Sequence, residues 1–160
     1  LLARDLRVAT AESCTGGLLG QLLTSIAGSS GWYSEGFVTY TNEAKTARLG
    51  VKQTTLEATG AVSEATVREM ACGVRSVAGV DVGLALTGVA GPGGGSAEKP
   101  VGTVWLGISV DDVVLTRNLA LYGREREMIR TIAAGAALSS LLWYLEGRLP
   151  EGWMSEAIIG

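Results

Sequence analysis

The 160-residue chain contains no histidine. That absence removes nucleophile activation by Ser-His-Asp or Cys-His arrangements, and with it every metal site that depends on imidazole. A hydrolytic centre here must take its base from lysine, tyrosine, a carboxylate or a bound ion. Cysteine is nearly missing too. Cys14 and Cys72 are the only two and show no Cys-x-x-Cys spacing, so neither a disulfide framework nor a zinc site is expected, and a reduced, cytoplasmic setting is. Clustered positive charge is also lacking: 13 Lys and Arg stand against 16 Asp and Glu, a net charge of -3. An extended nucleic-acid surface is thereby excluded, because phosphate contacts need grouped cations. The longest mostly apolar stretch, Ile132 to Leu145, is interrupted by Gly135, Ser139 and Ser140. It falls short of the about 20 apolar residues that a bilayer span needs, so no membrane partner is expected. A buried helix or a subunit interface is the expected use of that stretch, and a homo-oligomer, a dimer first, is the expected assembly.

What is present is an apolar, glycine-rich chain: 47% hydrophobic residues and 23 glycines. Its length predicts one domain, burying about two thirds of the unfolded surface. We assign that domain to residues 1–150 and leave residues 151–160 as a tail without an assigned role. Because the chain opens on Leu1 rather than Met, an upstream segment is expected.

Periodicity divides the domain into alternating elements. Leu6–Thr10 reads as a strand, and Gly16–Ala27 as a helix with Leu18, Leu19, Leu22, Leu23 and Ile26 at helical spacing. Gly36–Tyr40 reads as a second strand, with Asn42 capping a short helix that ends at Leu49-Gly50. Ser63 is the expected cap of a helix to about Ala78. Val82–Leu86 is almost continuously apolar, as expected for a strand covered on both faces. A loop from Gly88 to Pro100 follows. Gly102–Val110 and Val113–Leu121 flank Asp111-Asp112 as a hairpin, and a long helix from Arg126 to about Leu149 closes the domain. This order predicts an α/β fold, a three-layer α/β/α sandwich with a mixed, mostly parallel sheet containing one antiparallel hairpin.

Three segments carry candidate chemistry. Ala11-Glu12-Ser13-Cys14-Thr15-Gly16-Gly17 places three potential nucleophiles between a strand and a helix start. Free N–H groups collect there and stabilise a developing oxyanion. Ser13 as nucleophile and Ser13 with Thr15 as ordinary caps both satisfy the spacing. Cys14 has no activating neighbour and reads as a packing residue. The second segment, Tyr40-Thr41-Asn42-Glu43-Ala44-Lys45, sets a lysine at the third position of a helix, against its dipole. To act as a base Lys45 needs its pKa brought down from about 10.4 towards 7–8; a solvated lysine, and a Tyr40 that only packs, are the alternatives. The third, Thr87-Gly88-Val89-Ala90-Gly91-Pro92-Gly93-Gly94-Gly95-Ser96, follows a strand, where α/β folds bind ligands, and its glycines allow N–H groups to curl round an anion. It matches neither a Walker A loop nor Gly-x-Gly-x-x-Gly, so a flexible surface loop stays open as its reading. Ser96-Ala97-Glu98-Lys99 has the Ser-x-x-Lys spacing of penicillin-recognising enzymes, but Lys99 precedes Pro100, which disfavours the helix that chemistry requires.

Taken in order, these segments, with Leu49-Gly50-Val51, Gly60-Ala61-Val62-Ser63, Met70-Ala71-Cys72-Gly73 and Lys99-Pro100-Val101-Gly102-Thr103-Val104, resemble the CinA carboxy-terminal domain family of bacterial nicotinamide-nucleotide amidases. The resemblance covers about Leu6 to Ser140. It implies hydrolysis of the carboxamide of nicotinamide mononucleotide to nicotinate mononucleotide and ammonia, with Ser13 as nucleophile, Lys45 and Tyr40 in proton transfer, and no metal or cofactor. It further implies a substrate-binding shell of Thr15, Gly16, Thr87, Gly91, Gly93 and Gly94. An arginine of the last helix completes it; Arg126-x-x-Ile129-Arg130 fits the family's Arg-x-x-Val-Arg pattern and points to Arg130. One extra residue after Gly123 departs from that pattern and leaves Arg124 and Arg126 as alternatives. A nucleotide-binding regulatory module without turnover would use the same loop and arginine.

Overall fold

Small residues on one side of the central strands decide how the layers pack. In the computed structural model, which describes residues 1–157, strand β3 (Val82–Gly88) turns Val82, Leu84 and Leu86 towards one face and Gly83, Ala85 and Thr87 towards the other. A Cβ on Gly83 would collide with the carbonyl oxygen of Ala71, and one on Gly107 of β4 (Val104–Val110) would come within 2.9 Å of that of Val67. Helix α4 (Glu64–Ala78) therefore lies close against the sheet on this face, burying Val67, Met70, Ala71 and Val74.

Six strands form one sheet in the order β2-β1-β3-β4-β5-β6. Strands β1 (Val8–Glu12) and β2 (Tyr33–Val38) pair in parallel, as do β1 and β3. From β3 onward every pairing is antiparallel, through β4, β5 (Val113–Asn118) and β6 (Met154–Ala157). The sheet is mixed as expected, but antiparallel pairing extends beyond one hairpin. With β4 antiparallel to β3, parallel pairing is confined to the three strands that carry the crossover helices. Helices α1 (Leu18–Thr24) and α5 (Arg126–Leu145) cover one face; α2 (Asn42–Leu49), α3 (Gln53–Thr59) and α4 cover the other. This is the three-layer arrangement.

Several details differ from the sequence reading. Thr41, not Asn42, caps α2, its side chain accepting from the Ala44 N–H, so Lys45 sits one residue deeper in the helix. Helix α3 carries no sequence-visible stripe; Leu56 is its one buried residue. Part of the expected tail pairs with β5 as β6; its last residues, 158–160, lie outside the described ones. Helix α5 has 20 residues and is long and apolar enough to cross a membrane by length and composition. It lies instead on the sheet, burying Ile129, Ala133, Ala134, Ala137, Ser140 and Leu141.

Candidate active site

The parallel strands all deliver their carboxyl ends to one edge of the sheet, where α/β folds place ligands. Ser13 follows β1 directly. Its N–H donates to Leu86 O of β3 (2.9 Å), and the Thr39 N–H, just beyond β2, donates to Glu12 O (2.8 Å). Three chain segments are thus tied together around one residue. A pocket of about 300 Å³ opens there, walled by Ser13, Cys14, Tyr40, Lys45, Thr87, the Gly88–Gly94 loop and Arg126. That volume is at the small end for ligand sites.

Lys45 reaches this pocket from the inner side of α2. A Cβ on Gly73 of α4 would strike the Leu49 carbonyl oxygen, so glycine there lets α2 settle onto α4 and presses Lys45 inward. The lysine is 1% exposed. Its Nζ donates to Thr39 O at 2.8 Å and lies 3.1 Å from Ser13 Oγ. Burial disfavours the ammonium form and pulls the Lys45 pKa below its ordinary value, opposed in part by any negative charge on Cys14. Cys14 itself is 5% exposed. Burial, with a smaller push from the Glu12 charge, drives its thiol up to about 11. Of the neighbouring hydroxyl and thiol, only Ser13 has a polar partner suited to take its proton.

Glu12 was not singled out from the sequence. Its carboxylate, 1% exposed, accepts the N–H groups of Gly17 (3.0 Å), Leu19 (3.0 Å) and Gly20 (2.8 Å). The Gly16 N–H donates to Ser13 O at 3.1 Å. Of the N–H groups near Thr15 to Gly17, expected from the sequence to hold an oxyanion, those of Gly16 and Gly17 are therefore engaged within the protein.

Tyr40 is 57% exposed, and its hydroxyl accepts from Arg126 Nη2 at 3.2 Å. Arg126 Nη1 donates to Gly91 O at 2.8 Å, so this arginine bridges the β2–α2 connection and the glycine loop. Thr87 is buried, its hydroxyl donating to Ala61 O at 2.8 Å. Gly91, Gly93 and Gly94 all line the pocket. Thr15, Gly16 and Arg130 gather just outside it: Arg130 Nη2 donates to Thr15 O at 2.9 Å, and Nη1 pairs with Glu127. Of the arginines weighed from the sequence, Arg126 is the one on the pocket wall. Arg124 donates to Tyr122 O, away from it.

Comparison with known proteins gives a consistent result. The CinA C-terminal domain model matches residues 1–145. A protein of Enterobacter agglomerans named nicotinamide-nucleotide amidohydrolase PncC is 53% identical over 143 residues, 89% of this chain and 87% of that protein. A putative competence-damage inducible protein of Clostridium acetobutylicum is 50% identical over 138 residues, 86% of this chain but 33% of the relative, so the chain spans only a third of that longer protein. The crystal structure of the competence/damage inducible protein CihA of Agrobacterium tumefaciens superposes with a TM-score of 0.85 at 46% identity, covering 88% of this chain and 86% of that one. Family model, sequence identity and overall fold thus agree, and the chain belongs to the CinA C-terminal domain family.

Proposed function

We propose that this protein hydrolyses the carboxamide of nicotinamide mononucleotide, releasing nicotinate mononucleotide and ammonia, with Ser13 as nucleophile and Lys45 as its base. The observation that carries the reading is a buried amine 3.1 Å from a serine hydroxyl on the wall of a small pocket. The similarity to the Enterobacter amidohydrolase names the substrate class. Thr39 O orients the lysine, so a neutral amine presents its lone pair to Ser13. Ser13 Oγ attacks the amide carbon as Lys45 takes its proton, forming a tetrahedral adduct. Lys45 then returns that proton to the amide nitrogen as the C–N bond breaks and ammonia leaves. Water, deprotonated by the same amine, attacks the acyl-serine ester; nicotinate mononucleotide departs and Ser13 recovers its proton. With Gly16 and Gly17 engaged, neither of those N–H groups is left to hold the adduct's oxyanion.

Substrate binding is assigned to Thr87, Gly91, Gly93, Gly94 and Arg126. The guanidinium rests on a hydroxyl and a carbonyl, both neutral, and a phosphate monoester offers it a stronger, charge-assisted partner. Tyr40, held by Arg126, serves to position that group. Thr15, Gly16 and Arg130 shape the turn that carries Ser13. The experiment is ammonia release from nicotinamide mononucleotide, measured beside the thermal shift the nucleotide causes. Turnover by the wild type and none by Ser13→Ala supports the reading. A thermal shift without ammonia overturns it in favour of a binding module.

A further inference from the structure

The first turn of α1 is capped from inside. Its N-cap, Gly17, has no side chain to offer, and no side-chain cap bond forms there. Glu12 supplies the acceptors instead, Oε2 to Gly17 and Leu19, Oε1 to Gly20. Three charge-assisted bonds on a buried carboxylate are a strong restraint, favoured by the positive end of the helix. The fit is close. A Cβ on Gly20 would sit 2.8 Å from the Tyr33 hydroxyl, so glycine there leaves room for the tyrosine, while the same Cβ would lie at an ordinary contact distance, 3.6 Å, from Glu12 Oε1.

The same residue is part of a closed ring. Glu12 O accepts the Thr39 N–H (2.8 Å), Thr39 O accepts Lys45 Nζ (2.8 Å), and Lys45 Nζ meets Ser13 Oγ (3.1 Å). Ser13 is bonded covalently to Glu12. The main chain of Glu12 therefore sets where Lys45 points, while its side chain fixes the turn that carries Ser13. We propose that Glu12 is the positioning residue that holds Ser13 and Lys45 in register, acting through α1 and Thr39 and touching neither substrate nor the reacting atoms. The proposal rests on the amidase reading for its kinetic consequences, though not for its geometry.

Glu12→Gln tests it. The carboxamide has one acceptor oxygen where the carboxylate has two, so one side of the α1 turn loses its partner and faces an NH2 group. Misplacement of the reacting pair on the ångström scale lowers kcat about a hundredfold, while KM for nicotinamide mononucleotide stays within about threefold. The alkaline-rising limb of the kcat profile, set by Lys45, moves to higher pH as the amine gains water. Glu12→Asp keeps the charge and recovers part of kcat. Wild-type kcat and an unmoved limb in Glu12→Gln overturn the proposal, as does a loss confined to KM. Should Glu12→Gln fail to fold, Glu12→Asp and amide hydrogen exchange of the wild type decide. Slow exchange at Gly17, Leu19 and Gly20 with the limb shifted in Glu12→Asp supports the proposal; fast exchange at those amides, or an unshifted limb, defeats it. If the wild type releases no ammonia at any pH, the amidase reading fails alone. The Ser13–Lys45 separation in a crystal structure of the Glu12 variant that folds then decides: a retained 3.1 Å contact overturns the positioning role and a widened one upholds it.

Discussion

Lys45 and Arg126 line the same pocket, and their surroundings differ in kind. Lys45 is buried, reaches only a carbonyl and a hydroxyl, and has a pKa lowered by the loss of water. Arg126 stands exposed at the start of α5, joined to Tyr40 and to a glycine loop that is itself largely solvent-facing. A guanidinium stays charged at every accessible pH, whereas a buried amine gives up its proton at a lower pH and is then free to accept one. The dry wall is suited to proton transfer and the wet wall to holding an anion. Chemistry is set by enclosure at least as much as by residue type.

The largest effect that tests this division is on the dry side. Ser13→Ala should leave the fold intact, because a small hydroxyl is lost at a site 9% exposed, yet lower kcat by about 10⁴-fold or more. Far-ultraviolet circular dichroism and ammonia release check the two halves of that statement. Lys45→Met should lower kcat by about 10² to 10⁴-fold. It also changes how stability depends on pH. The folded protein loses the Lys45 proton at a lower pH than the unfolded chain, so between the two values the unfolded state binds more protons. Stability therefore rises with pH over that window, by about 1.4 kcal/mol for each unit separating them. Melting curves of the wild type from neutral to strongly alkaline pH should show that rise against Lys45→Met, which lacks it. In the same sense, wild-type kcat should climb with pH and level off below about 10.4, the ordinary lysine value. A limb at or above that value would make the two walls alike.

On the wet side, Arg126→Gln should raise KM for nicotinamide mononucleotide by about 10 to 100-fold, the loss of one charge-assisted contact of about 1.5–3 kcal/mol, with a smaller change in kcat. Arg130→Gln should do the reverse, lowering the melting temperature through the freed Thr15 carbonyl and leaving KM nearly alone. Initial-rate measurements on both variants separate the roles. Equal KM effects would erase the distinction drawn here.

How far the sequence led depends on what each segment packs against. Strand β3 and helix α4 were legible because burial on a regular lattice writes itself as periodicity: Val82 to Leu86 apolar, Val67, Met70 and Val74 at helical spacing. Helix α3 left no such trace, since one buried leucine makes no stripe. Strand β6 was hidden because Met154–Ala157, at the edge, has little apolar pattern to show. The contact between Ser13 and Lys45 joins the turn after β1 to helix α2, and only the motif order of the family hinted at it. Glu12 was missed although it stands inside the most informative motif of the chain. A carboxylate at a strand end reads as solvated until the folded helix start is seen to donate three N–H groups to it. Arg126 and Arg130 stand four residues apart, about 40° round the helix and about 6 Å along it, so both look the same way and only the folded chain shows that Arg126 is the one on the pocket wall.

The smallest effect expected in the pocket concerns Cys14, and it sharpens the comparison because Cys14 shares the dry wall with Ser13. Proximity to a base would ordinarily mark a thiol as the better nucleophile, since a thiolate attacks more readily than a hydroxyl. Here enclosure works the other way. Cys14 must ionise to react, and burial holds its pKa up to about 11, leaving about one thiol in ten thousand charged at pH 7. Serine carries no such requirement, because its proton passes to Lys45 as attack proceeds and no free anion forms first. Cys14→Ala should therefore keep kcat within about threefold of the wild type and cost about 1 kcal/mol of stability for the small cavity it leaves. Iodoacetamide at neutral pH should label the folded protein far more slowly than the unfolded chain. A kcat for Cys14→Ala as low as that of Ser13→Ala, or rapid alkylation with loss of turnover, would move the nucleophile one residue along and require Lys45 to act as the partner of a thiolate.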